Sequence, residues 1–274
     1  RSNDRMLGVT FFQTYSFFDG NQTTAGIDYQ HFGGHAWNRY LDEREDAQII
    51  DKSFNEVAGY LNFQQILINK LVLNAGIRFD HHAYTGNEWI PQFGLSYIAS
   101  DNTVLKGIVS KGFRNPTIRE MFMFPTQNPG LKPEKLMNYE LSASHKMLNK
   151  ALSLDLSLYY IKGDNSIITV PKEAGTGMIY MNTGEIENYG LEFATRYQFN
   201  PYLSLSANYS WLHMENKVVA SPEHKLYAGI NYTKDKWDLS TGVQFIRNLY
   251  TQLADAKNAM PEIKDTFTLW NIRI

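Results

Sequence analysis

Residues 111–141 read KGFRNPTIREMFMFPTQNPGLKPEKLMNYEL, and this stretch decides the fold. Residues 103–113 are strand-like, and the Asn115-Pro116 step closes them. Proline has no N–H for the ladder and drives its predecessor towards extended or turn geometry. Pro125, Pro129, Gly130 and Pro133 keep the following residues irregular, and residues 138–147 alternate again. A structureless loop of this length is uncommon in a compact soluble domain and usually carries function.

Working outward, the same grammar repeats. Residues 6–18 and 24–32 read as strands around Asp19-Gly20-Asn21, followed by a long polar segment, 33–53, with the charge cluster 42–46. Residues 54–68 and 71–80 pair around Asn69-Lys70, and 81–89 is a longer connection. Residues 90–99 and 103–113 flank Ser100-Asp101-Asn102; 138–147 and 151–162 flank Leu148-Asn149-Lys150. Residues 189–199 and 202–214 turn at Asn200-Pro201, and 224–233 and 237–246 at Lys234-Asp235-Lys236. Residues 163–177, 215–222 and 247–261 are long connections, and 265–274 starts a last strand. The fold class is therefore all-β, with about 13 antiparallel strands by period and turn signals. Short and long connections alternate, the pattern of an outer-membrane barrel with tight periplasmic turns and long extracellular loops. On that rule 114–137 is extracellular and Asn200-Pro201 periplasmic.

Side-chain alternation predicts two unlike faces. Leu152, Leu154, Leu156, Leu158 and Tyr160 share one side of their strand; Ser153, Asp155 and Ser157 share the other. Tyr189, Leu191, Phe193, Tyr197 and Phe199 oppose Glu192, Arg196 and Gln198, and Leu226, Ala228, Ile230 and Tyr232 oppose Lys225, Asn231 and Thr233. A Lys or Arg facing lipid at mid-membrane costs on the order of 2–4 kcal/mol, whereas a wet lumen tolerates it. The apolar set is expected to face lipid. Aromatics at strand ends (Tyr160, Tyr189, Phe199, Trp211, Trp237) suit interfacial girdles. The strand at 103–113 alternates poorly. Alternation alone also suits a soluble sandwich or propeller, although no blade-length repeat is present.

Composition narrows the classes. The chain has 274 residues, a formal net charge of -2 and no cysteine. That excludes disulfides and thiolate chemistry and gives no reason to expect nucleic acid. Hydrophobic content is 43% but mean hydropathy is -0.38, and no apolar run is long enough for a transmembrane helix.

The residues Gly112-Phe113-Arg114-x-Pro116, then Asn128-Pro129-x-Leu131-Lys132-Pro133-Glu134, then Asn138-Tyr139-Glu140-Leu141 resemble the barrel of TonB-dependent outer-membrane receptors. Ala75-Gly76-Ile77-Arg78-Phe79-Asp80, Asn182-Thr183-Gly184 and Tyr189-Gly190-Leu191-Glu192 are similar too. The resemblance implies a bacterial outer-membrane location and a transmembrane β-barrel of roughly 22 strands, of which this chain supplies about 13. It implies a plug domain and barrel-closing strands outside residues 1–274, since the chain stops at Asn271-Ile272-Arg273-Ile274, a point that reads as mid-barrel. It also implies a TonB energy-transducing complex as partner and a scarce nutrient as ligand, a ferric siderophore first. Cobalamin, copper or haem, a passive porin and an outer-membrane hydrolase are the alternatives. Cofactors and resident metals are not expected.

Site residues follow with competing readings. Arg119, Glu120, Met121 and Met123 are candidate ligand contacts at the barrel mouth. The competing reading packs Met121, Phe122, Met123 and Phe124 onto the rim, and it is the one favoured; a Cu(I)-binding Met pair is a further alternative. His81 and His82, expected in a loop, are candidate ligand contacts, with a solvated pair as the plainer reading. No histidine lies between 115 and 127, which the resemblance turns against haem. Gly112, Phe113, Arg114, Pro116, Asn128, Pro129, Leu131, Pro133 and Glu134 are expected to be structural, with Arg114 and Glu134 fixing the loop ends. For catalysis only a Ser–His set using His145, His213 or His224 could be drawn, and no motif supports it.

Overall fold

The computed structural model describes residues 1–123, 127–172, 176–254 and 259–274; Phe124 and Pro125 lie outside them. Thirteen strands follow one another in sequence order in a single sheet. They are β1 (Ser2–Tyr15), β2 (Asn21–Asn38), β3 (Ala47–Leu67), β4 (Leu71–His82), β5 (Gly86–Ser100), β6 (Thr103–Arg114), β7 (Glu134–Met147), β8 (Leu152–Pro171), β9 (Met178–Asn200), β10 (Leu203–Met214), β11 (Pro222–Lys234), β12 (Trp237–Gln252) and β13 (Ile263–Arg273). A single sheet with its strands in sequence order removes the sandwich and propeller readings.

Several strands run further than their composition suggests. Residues 33–38 and 47–53, expected as polar loop, continue β2 and β3, with Gly33 opposite Ser53 and Gly34 opposite Lys52. Most of 163–177 and the start of 247–261 are strand as well. The physical reason is common to all: the ladder is made by backbone groups and does not need period-two alternation of the side chains. The connection expected at 81–89 shrinks to 83–85, as short as the turn at 68–70 on the opposite edge. The short–long alternation therefore fails at this one hairpin. Tight turns use left-handed residues: φ is 50° at Ile68, 54° at Asn69 and 54° at Asp235, which matches the twist of the flanking strands.

The chain divides into two compact units by internal contact. The first comprises Arg1–Gly94, Val109–Met137 and Gly163–Glu185. Its registers align Phe11, Ile27, Gly59 and Phe79 on one face, and Gln13, Ala25, Leu61 and Ile77 beside them. Phe11, Ile27, Leu61 and Ile77 are exposed. The opposite face carries Gly26, Tyr60 and Arg78 on one rung, Asp28, Ala58 and Asp80 on the next, then Gln30, Glu56 and His82. Its small core sits at the long-loop edge, where Met121, Phe122 and Leu131 of the long loop pack on Ala36 and Ile50.

The second unit comprises Leu95–Ile108, Asn138–Lys162 and Ile186–Ile274. Phe193, Tyr209, Leu226 and Phe245 align across β9 to β12 on one face; Glu192, Ser210 and Lys225 align on the other. The expected split into an apolar and a polar face holds on these strands. On the polar face Gly229 stands opposite Gly242, and the Tyr227 ring lies across both. A Cβ at either glycine would meet the Tyr227 hydroxyl inside van der Waals distance, so the pair forms a slot for the ring.

Candidate functional site

The long loop between β6 and β7 is not structureless. Thr117-Ile118-Arg119-Glu120 is a capping box: the Thr117 N–H donates to Glu120 Oε2 at 2.7 Å and the Glu120 N–H to Thr117 Oγ1 at 3.2 Å. It starts a short π-type helical turn, Arg119–Met123. This signal is present in the sequence and corrects the reading of an irregular loop.

Arg114 clamps that turn to the far end of the loop. Its Nη1 and Nη2 each donate to a Glu120 carboxylate oxygen at 3.0 Å, and its Nε donates to Glu134. Glu134 uses its other oxygen to accept from the Ile167 N–H at 2.7 Å. The two sequence boxes are thus joined through one guanidinium. The Glu134 and Glu120 carboxylates hold the Arg114 pKa above its usual value. Burial alone would raise the Glu120 carboxyl, but hydrogen bonds from Arg114 and Thr117 outweigh it and hold the group below its ordinary range.

Asn128 and Asn182 fasten the second half of the loop. Asn128 Oδ1 accepts from the Gly130 N–H at 3.1 Å, and its Nδ2 donates to the Tyr180 carbonyl at 2.7 Å. The Asn182 side chain imitates a peptide group, accepting from the Lys132 N–H at 2.7 Å and donating to the Lys132 carbonyl at 2.8 Å. Leu131, Pro116 and Pro133 are buried. Gly112 lies against Leu136, where a Cβ would be tight. Phe113, near the end of β6, is partly buried, and Pro129 is exposed within the loop.

The candidate ligand contacts separate. Met121 is 0% exposed and Phe122 is buried in the apolar cluster. Met121 therefore packs, and this corrects its placement as a ligand or Cu(I) contact, because its side chain is enclosed by hydrocarbon. Glu120 is engaged by the Arg114 clamp. Arg119 and Met123 line a cavity of about 740 Å³ between the helical turn and β1 to β3, together with Met6, Phe32, Ala36 and Ile50. The wall is chiefly apolar with Asp4, Arg5 and Arg119 as its charged groups.

His81 and His82 close strand β4 and are not in a loop, which corrects a second placement. Neighbours on a strand point to opposite faces, so the two rings do not converge. His81 Nδ1 meets Asn87 Oδ1 at 2.6 Å. His82, 1% exposed, packs between Phe32 and Phe54, and its Nδ1 accepts the N–H groups of Tyr84 and Thr85 at 3.2 and 3.1 Å. Among the described residues no group of three or more His, Cys, Asp or Glu is placed to hold a metal ion. His145 contacts Thr103, His224 contacts Tyr209, and His213 contacts Glu215; none of these contacts involves a serine.

Two charged groups escape the sequence reading. Glu88, buried, takes Lys111 at 2.8 Å and Lys135; its surroundings read as a connection. At the long-loop edge of β11 to β13, Tyr250 is buried between the ammonium groups of Lys217 and Lys264, 5.2 and 4.6 Å from its ring centroid. Partial burial would raise the neighbouring Glu223, but hydrogen bonds from Tyr250, Asn248 and Lys264 hold it at about 2.

A family model described as TonB dependent receptor-like, beta-barrel matches residues 1–274. The chain is 24% identical over 261 residues to the vitamin B12 transporter BtuB of Photobacterium profundum, covering 92% of this chain and 41% of that protein. It is 25% identical over 232 residues to the iron-regulated outer membrane virulence protein of Vibrio cholerae serotype O1, covering 73% and 35%. Its fold matches the siderophore receptor PirA of Acinetobacter baumannii with a TM-score of 0.78 at 14% identity, over 98% of this chain and 48% of that one. It matches an enterobactin-bound ferric enterobactin receptor mutant of Pseudomonas aeruginosa with a TM-score of 0.79 at 15% identity, over 99% and 46%. The copper transporter OprC is similar at 0.76 and 14%, over 99% and 48%. The chain spans less than half the length of each of these relatives. With its single antiparallel sheet and its two joined sequence boxes, the chain belongs to the TonB-dependent receptor β-barrel family of the bacterial outer membrane.

Proposed function

We propose that residues 1–274 form part of one receptor barrel domain, its wall and outer mouth, in an energised importer of a ferric siderophore. The observation that carries this reading is the cavity at the long-loop edge, roofed by a loop that Arg114 and Asn182 hold in place. An anchored loop over a preformed, mostly apolar space with a few charged groups is how small-ligand sites are built. The exposed apolar face suits lipid and the polar face suits a wet lumen. In this reading the long loops are extracellular, Arg119 and Met123 meet the ligand, and the plug and the TonB contact come from the rest of the protein. The barrel is a passive wall and not an enzyme.

Cobalamin is the second reading, because the B12 transporter relative matches over 92% of this chain. Titrating the full-length receptor in detergent with ferric siderophores, cobalamin, haem and copper separates these readings. Saturable binding of a ferric siderophore that weakens in Arg119→Ala supports the first reading; saturable binding of cobalamin alone replaces it.

A further inference from the structure

The polar face of β1 to β4 changes character at the long-loop edge. Its rungs run Gly26–Tyr60–Arg78, Asp28–Ala58–Asp80 and Gln30–Glu56–His82, and the next is Met6–Phe32–Phe54. Beyond it Asp4 and Lys52 stand opposite Gly34, and Ser2 and Ile50 opposite Ala36. Lys52 is turned onto the Phe122 ring, its ammonium 4.7 Å from the centroid, and does not line the cavity of about 740 Å³ that opens here. Met6, Phe32, Ala36, Ile50, Ile118 and Met123 supply the apolar wall of that cavity.

The wall chooses between kinds of apolar group. No Trp or Tyr stands among the described residues that line it, and its one aromatic, Phe32, already packs edge-to-face with Phe54 at 6.3 Å and against His82 at 5.9 Å. A flat ring therefore finds little to stack on. Thioethers and branched aliphatic side chains instead accommodate a flexible hydrocarbon, and Met6 is 71% exposed, leaving its thioether open to contact.

The charges choose between parts of a ligand. Asp4 holds a carboxylate over Gly34, where a Cβ would lie 2.6 Å from Asp4 Oδ1. That carboxylate repels a multiply anionic complex such as a ferric catecholate and is indifferent to hydrocarbon. Arg5 is balanced by Asp51 at 3.8 Å. Arg119, exposed on the helical turn, can meet the polar end of a ligand whose apolar end lies inside.

We propose that this cavity receives an acyl chain, carried by a siderophore whose ferric complex is uncharged and stays outside it. This rests on the reading of the cavity as the ligand site. The roof is already fixed by the Arg114 clamp, so the chain enters a preformed space and little ordering is lost on binding. Each methylene taken from water tightens binding about fourfold.

Binding is measured on the full-length receptor in lipid nanodiscs, with empty nanodiscs as the blank for partitioning. The probes are a ferric trihydroxamate, the same chelate carrying a decanoyl chain, and a ferric catecholate. The acylated chelate is expected to bind at least about 30-fold more tightly than its parent. Met6→Gln, at a side chain too exposed for the fold to depend on it, is expected to cut that preference by about threefold or more. A diazirine at the end of the chain gives a second readout, with cross-links expected within 2–6, 32–36 or 118–123. Equal binding of the two hydroxamates, or binding of the catecholate alone, overturns the proposal and leaves the siderophore reading standing; binding of none of the three overturns both. A preference untouched by Met6→Gln, or cross-links confined to outward residues such as Phe11 and Ile27, also overturns it, since the chain then sits in lipid.

Discussion

Replacing Arg114 by alanine is expected to free the long loop without unfolding the sheet. The substitution removes two hydrogen bonds to Glu120 and one to Glu134, whose side chains are only 16% and 24% exposed. A charge-assisted hydrogen bond is worth about 1.5–3 kcal/mol net. Arg114 itself is 43% exposed, so screening reduces the sum well below three such bonds. A local loss of about 2–3 kcal/mol follows, which raises the open population of the loop about 30- to 150-fold. Hydrogen exchange in the full-length receptor reads this at the Met121 amide, which donates to the Thr117 carbonyl at 3.1 Å. Arg114→Lys is expected to recover only part, because an ammonium lacks the paired geometry. Acceleration below about threefold, or acceleration spread evenly through β2 to β4, would refute the clamp. The Glu120 shift adds a pH sign: its carboxyl is depressed from 4.5, so the clamp is whole above about pH 4.5 and weakens as pH falls through the lower folded value.

Met121→Ala, at a fully buried side chain, is expected to cost about 2–5 kcal/mol of local stability, seen as faster proteolysis within 115–133. Gly242→Ala is expected to lower the thermal midpoint through its collision with Tyr227, a loss of about 1–3 kcal/mol, and Tyr227→Ala in the same chain should recover much of it. Glu223 is held at about 2, so its ties to Asn248, Tyr250 and Lys264 should persist above its ordinary range and break as pH falls towards about 2. Exchange at β11 and β12 amides near those residues, compared with Glu223→Gln, checks the sign.

Much of the fold was legible because period-two alternation and turn residues are local signals. Strand ends were not, since polar residues at 33–38 and 47–53 resemble loop until the ladder between β2 and β3 is seen. The two boxes mark the ends of a joined loop, and its third partner, Glu120, is marked only by the local Thr117-x-x-Glu120 capping pattern. The Asn182–Lys132 pairing and the Glu56, Asp80 and His82 grouping arise from register between distant strands, for which a sequence carries no short-range mark. His81 and His82 misled because adjacency in sequence is opposition on a strand.

Uptake by cells carrying the full-length gene tests the central claim most directly. Labelled ferric siderophores, haem, cobalamin and copper are offered with and without a protonophore. Uptake of a ferric siderophore that collapses with the proton gradient is the expected result. Uptake indifferent to the gradient would contradict energised import and point to a passive pore, and uptake of cobalamin alone would contradict the siderophore assignment.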